Sequence, residues 1–209
     1  MKKLFLSLLM AVCAVGAWGQ KLTAEEIIAK MDEKMEGKDS ENVHMIMEMK
    51  MPIIGTMKME MWNVGDKSRT EGSMMGHQLV IFEDKTTEWE YDSNDNTVTI
   101  KPVKEGAGSD SDNAEMLSGI TDGYNVKIRK ETATEWIIAC KKSKDNKEKD
   151  DPNNMELTVS KADYMPVKLT TSMKGVKLTM RDFSFGTVSE KFVTYDDSLF
   201  PGAKIVDKR

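Results

Sequence analysis

The chain of 209 residues has little of several things: 2 Cys, 5 Pro, 2 His, and 7% aromatic residues. Two cysteines exclude a disulfide-stapled scaffold, so core burial has to hold the fold together. There is no basic excess. Thirty Lys and Arg stand against 35 Asp and Glu, for a formal charge of −5, which sets aside neutralising a nucleic-acid backbone as the main task. Catalytic motifs are missing too: the sequence holds no Gly-rich phosphate cradle, no Gly-x-Ser-x-Gly, no His-Glu-x-x-His and no Cys-x-x-Cys. Carboxylates are numerous but sit on polar faces or in turns, which reads as solvated charge. No enzymatic activity is expected. With 39% hydrophobic and 31% charged residues the chain fits a globular domain and excludes disorder. What it has in excess is methionine, 18 residues against 14 Gly and 6 Phe.

Residues 1–19 read as a cleavable secretory signal, with Lys2 and Lys3, an apolar run from Leu4 to Val15, and small Ala17 and Gly19 before the cut. The run is too short to span a bilayer. A competing lipoprotein cut at Cys13 meets the bulky Val12. The remaining residues, 20–209, form one domain. Removing Lys2 and Lys3 takes its charge to −7 and leaves Cys140 as its single cysteine. Cys140 ends the strand-like run Trp136-Ile137-Ile138-Ala139 and reads as a buried small hydrophobe, since a nucleophile would want a neighbouring base.

Leu22 to Glu36 has helical periodicity. Thr23 and Glu26 have capping-box spacing, Ile27, Ile28, Met31 and Met35 share a stripe, and Gly37 stands where the helix should stop. The period then drops to two. Val43, Met45, Met47 and Met49 alternate with His44, Ile46, Glu48 and Lys50. After a turn at Pro52–Gly55, Met57, Met59 and Met61 do the same, which predicts a hairpin lined on one side by methionine. Further strands are expected at 67–72, 77–83, 87–91, 97–101, 124–130, 134–141, 155–160, 166–172, 176–185 and 191–194. A short helix is expected at 113–120, and the charged stretch 141–154 reads as a solvated loop. So many antiparallel strands curl or close. The Met stripes allow three readings: a core under the helix, an adaptable lining for an apolar cavity, or thioether ligands for a soft ion such as Cu(I). His44 falls on the face opposite Met45.

The run from Gly76 to Asp92, with Phe82-Glu83-Asp84-Lys85, then Trp89-Glu90-Tyr91 and an acidic turn, resembles the central signature of the LolA-like periplasmic carriers of outer-membrane lipoproteins. The order around it matches as well: leader, amphipathic helix, hairpin ending near Trp62, a basic strand with Lys67 and Arg69, and an ending with Lys191-Phe192 and Phe200-Pro201-Gly202. The resemblance implies an incomplete, strongly curved antiparallel β-barrel, mainly β, whose concave apolar side is covered by the N-terminal helix and the internal one. It implies a periplasmic, monomeric, non-catalytic carrier without cofactor that shelters lipid or lipoprotein acyl chains. Its partners would be an inner-membrane donor and an outer-membrane acceptor. The expected lining is Ile27, Met31, Met45, Met47, Met49, Met57, Met59, Met61, Trp89 and Tyr91. One departure stands out. The family has a basic pair after the hairpin Trp, whereas Trp62 is followed by Asn63-Val64-Gly65-Asp66, with Gly65 nearest the family's Arg. The alternatives are a Cu(I) chaperone built on the Met runs and an envelope sensor or assembly factor that binds a protein with the same fold.

Overall fold

The computed structural model describes residues 21–36, 42–53, 55–74, 76–103, 122–149 and 151–209. The leader, the Cys13 alternative, the Gly37 helix stop and the expected helix at 113–120 lie outside them.

The first helix, α1, spans Ala24–Glu36. Its start is fixed reciprocally: the Thr23 N–H donates to Glu26 Oε2 at 2.8 Å and the Glu26 N–H donates to Thr23 Oγ1 at 3.2 Å. Ile27, Ile28, Met31 and Met35 form its buried stripe. Twelve strands follow: β1 Asn42–Met51, β2 Gly55–Val64, β3 Lys67–Met74, β4 His77–Glu83, β5 Thr87–Asp92, β6 Thr97–Pro102, β7 Tyr124–Glu131, β8 Glu135–Lys142, β9 Asn154–Ser160, β10 Pro166–Met173, β11 Val176–Phe185 and β12 Lys204–Asp207. They form one curved, open sheet in the order β12-β6-β5-β4-β3-β2-β1-β11-β10-β9-β8-β7. Two meanders, β1 to β6 and β7 to β11, are joined where β1 pairs antiparallel with β11. The mainly β, incompletely closed architecture with an N-terminal helix is the one expected.

Register sorts the side chains onto two faces, because residues paired across strands share a face. One face carries Val43, Met45, Met61, Ile138, Cys140, Leu157, Leu169 and Met180, all buried in one cluster with the apolar stripe of α1. It is called the inner face below. Its opposite, the outer face, carries a second core on the first meander. Trp62 pairs with Arg69, Arg69 with Phe82, Phe82 with Trp89 and Trp89 with Ile100. Phe82, Val80, Val98 and Ile100 are buried there.

The chain after β11 covers this second core. Residues 191–194, expected as a strand, instead form a 3₁₀ turn over Glu190–Val193, closed by Phe192 N–H donating to Ser189 C=O at 2.9 Å. The physical reason is location. The segment crosses the outer faces of β2 and β3, where no strand edge is free, and turns Val193 inward to 1% exposure. The ending does add one strand. Gly202, at φ +78°, turns the chain so that β12 runs parallel to β6.

Candidate functional site: a methionine-lined sheet face

On the inner face β1 and β2 place three methionine pairs directly opposite one another: Met45 with Met61, Met47 with Met59, and Met49 with Met57. The first pair is sealed under α1, at 0% and 4% exposure. The other four side chains are only half-buried. The ladder therefore runs from the closed core out to an accessible surface.

Past the sealed pair lies a narrow cleft lined by Met57, Met59, Thr70, Gly72, Ser73, Leu79 and Ile81, with about 20 Å³ of free volume. Gly72 shapes its floor. A Cβ there would stand 3.2 Å from Met59 Cγ and 3.4 Å from the Lys58 carbonyl oxygen, so the bare backbone is what leaves the space between Met59 and Leu79, its two register partners. The apolar strip stops at β4. Glu90 lies opposite Ile81, and Lys101 pairs with Glu88 at 2.9 Å and Glu90 at 2.6 Å. Partial burial works against the Lys101 charge, but the hydrogen bonds it donates to these two carboxylates hold its pKa above the ordinary lysine range.

The ten expected lining residues divide three ways. Ile27, Met31, Met45 and Met61 meet in the sealed core, and Met47 packs against it. Met57 and Met59 line the cleft, with Met49 directly across from Met57. Trp89 and Tyr91 are on the outer face. Trp89 stacks on Tyr195 at 5.2 Å and Tyr91 on Phe200 at 4.1 Å. Leu79, Ile81 and Gly72 complete the cleft without having been singled out in the sequence. The available signal was that His77–Glu83 alternates apolar residues onto both faces.

The outer core occupies the cations nearest the family's missing Arg. Gly65 sits at φ +58° in the β2–β3 turn. The Arg69 guanidinium lies 4.2 Å from the Phe192 ring and 5.1 Å from that of Phe82, and donates to the Phe192 carbonyl at 3.3 Å. Lys67 reaches Glu190 at 2.6 Å. Both cations tie down the C-terminal segment. Burial, with Asp197 nearby, drives the Tyr195 phenol upward in pKa. His44 stacks on Trp62 at 5.2 Å and meets Glu60 at 2.9 Å, on the face away from the Met ladder.

The chemistry open to the cleft is therefore narrow. Its walls are thioether, aliphatic and hydroxyl groups, with no titratable side chain among the lining residues. Cys140 is 1% exposed and burial pushes its thiol up to about 11, which leaves it without thiolate character near neutrality. Among the described residues no group of three His, Cys, Asp or Glu is placed to hold a metal, and no helix is long and apolar enough to cross a membrane.

An open antiparallel sheet that carries an amphipathic helix on one face, with an apolar strip running out from beneath the helix, is the architecture that the resemblance in the sequence implied. Among solved structures the chain is similar to LprF from Mycobacterium bovis, with TM-score 0.56 and 9% identity over 79% of this chain and 94% of that one. At that identity the likeness establishes shared fold alone. It is also similar to the lipoprotein LppX from Mycobacterium tuberculosis, with TM-score 0.47 and 10% identity over 80% and 98% of the two chains. A LolA superfamily protein from Nitrosomonas europaea matches with TM-score 0.35 and 12% identity over 84% and 99%. No protein-family model and no curated protein matches the chain.

Proposed function

We propose that the protein is a non-catalytic periplasmic carrier that shelters acyl chains of a lipid or lipoprotein on the Met-lined inner face. The observation that carries the reading is the half-buried run of Met47, Met49, Met57 and Met59 beside the cleft that Leu79 and Ile81 complete. Methionine is unbranched and polarizable, so such a lining adapts to chains of different length and branching. Each CH₂ moved from water onto it contributes about 0.8 kcal/mol, enough for useful affinity without any reaction. An acyl chain lies along the half-buried ladder of Met47, Met49, Met57 and Met59, and the narrow cleft admits a segment of it when the flexible thioether side chains shift. The leader at residues 1–19 and the resemblance of the Gly76–Asp92 run to the LolA-like carriers support the compartment and the cargo class. Outer-membrane lipoprotein sorting, with a donor and an acceptor membrane partner, is the specific form of this function that the family resemblance favours.

The test is native mass spectrometry of protein purified from a periplasm, joined to titration with a fluorescent fatty acid. Co-purifying lipid or lipopeptide and saturable uptake are expected. A clean apo mass with no uptake overturns the reading. Gly72→Val fills the cleft floor against Met59 and should weaken fatty-acid binding about tenfold or more while the protein stays folded. The facing thioether pairs favour one second reading, a Cu(I) site on Met47, Met49, Met57 and Met59. Leucine replacements separate the two readings, as argued in the Discussion.

A further inference from the structure

The outer face of the second meander has a charge pattern that neither the core nor the cleft uses. Where β1 and β7 to β11 turn away from α1, register brings six lysines onto one face: Lys50, Lys127, Lys130, Lys141, Lys168 and Lys177. All but Lys168, which is half-buried, are exposed. Among the described residues none of the six has an ion-pair partner. The carboxylates of the same face, Glu48 and Glu156, are already taken by Arg181 and Arg129, both at 2.7 Å. Glu135 stands at its far end, opposite Ser160. A chain with a formal charge of −5 thus carries a face of opposite sign.

The arrangement breaks a local rule. Lys50 stands directly opposite Lys177, and Lys168 directly opposite Arg181. Like charges in cross-strand pairs destabilise a sheet. With 35 acidic residues in the chain, a Glu or Asp at one member of each pair would relieve that cost. Between the lysines lie the short side chains of Thr170, Thr179, Ala139 and Ser172 and the half-buried Ile46 and Ile137, with no exposed aromatic residue. That composition is a poor match to a protein interface, where lysine is depleted and aromatic residues and arginine supply the anchors. It suits a diffuse field of phosphate charge, to which lysine presents flexible point charges.

We propose that this lysine face docks the protein on a membrane surface rich in anionic phospholipid headgroups. The docked orientation leaves the Met-lined face on the other side of the sheet, so the membrane contact is separate from the apolar site and does not depend on what that site binds. Electrostatic attachment of this kind is reversible and is weakened by salt.

The test is co-sedimentation of the full protein with vesicles of phosphatidylcholine containing phosphatidylglycerol, against vesicles of phosphatidylcholine alone. Binding is expected only to the anionic vesicles, falling as salt is raised. An acidic protein without such a face would be repelled by them. Lys50→Glu with Lys177→Glu should weaken this binding at least about tenfold, since each lysine near an anionic surface is worth roughly fivefold. The melting temperature should change little, because the double change exchanges one cross-strand like-charge pair for another of opposite sign. The same charge change placed elsewhere, Lys85→Glu with Lys208→Glu, should have a much smaller effect. The proposal is overturned by absence of binding to anionic vesicles at low salt, by equal losses in the two double variants, or by binding to polyglutamate without binding to vesicles. Fatty-acid uptake by the Lys50→Glu, Lys177→Glu protein reports separately on the apolar site.

Discussion

The two meanders solve the same problem in different ways. The second, β7 to β11, buries one face only, with Ile138, Leu157, Val159 and Leu169 under α1, and leaves the other face charged. The first, β1 to β6, buries the outer face of β3 to β6 beneath the C-terminal segment through Phe82, Val80, Val98 and Val193. Because that outer core anchors β3 to β6, their inner face need not be sealed for the strands to hold. A half-exposed apolar face is tolerated where stability is supplied from the other side of the sheet. The second meander has no such support, and there the inner face is closed.

Truncation in each core tests this division most severely. Phe82→Ala, in the outer core, should cost about 3–5 kcal/mol, and Leu157→Ala, under the helix, about 2–5 kcal/mol, both read from denaturant midpoints. The two should differ in what they release. Phe82→Ala loosens the C-terminal segment and should open Lys191 and Lys204 to trypsin well below the unfolding midpoint, while Leu157→Ala should leave both protected. Equal cleavage in the two variants would mean that the cores form one cooperative unit, and the comparison would fail.

How much of this was legible in the sequence follows the same line. Helix α1 was readable because its cap and stripe are local, β4 because turn residues bound a short apolar run, and β11 because turn residues bound an alternating one. The pairing of Met45, Met47 and Met49 with Met61, Met59 and Met57 followed from a single tight turn. The assignment of faces did not. Leu79 and Ile81 point inward and Val80 and Phe82 outward, all apolar, so periodicity within β4 has no preferred side. What breaks the tie is the C-terminal segment, more than a hundred residues away in sequence, whose Tyr195 and Phe200 rings meet Phe82 at 5.8 and 6.3 Å. That contact depends on strand order, which local pattern does not encode. Trp89 and Tyr91 accordingly lie with the outer core, away from the methionines.

The sealed side of the comparison has a titration signature. The folded Cys140 thiol is pushed by burial up to about 11 from an ordinary value of 9.0. As pH rises past 9 the unfolded chain releases this proton first, so the native state binds more protons and stability falls with pH. The loss attributable to Cys140 should reach about 2 kcal/mol by pH 11 and be absent below pH 8. Denaturant unfolding of the protein and of Cys140→Ala at pH 7, 9 and 11 isolates it: the difference between the two should change only across the upper interval. A flat difference would mean that water reaches the thiol and that the helix-covered face is not sealed.

The smallest expected change in stability is also the most informative about the open face. Replacing Met47, Met49, Met57 and Met59 together by leucine keeps apolarity and nearly keeps volume, so each swap should cost well under about 1.5 kcal/mol, less where the side chain is half-exposed. The thioether sulfurs are lost and the hydrocarbon surface is not. If the face shelters acyl chains, fatty-acid affinity should change by no more than a few-fold, with a narrower range of chain lengths accepted because leucine repacks less freely. If the face holds Cu(I), metal affinity should fall to background while the fatty-acid titration stays unchanged. The two meanders sharpen the same point. Met45, Met61 and Met180 continue the methionine row into the part of the inner face that α1 closes, where they pack as core, so only the half-buried Met47, Met49, Met57 and Met59 are free to reshape around a guest.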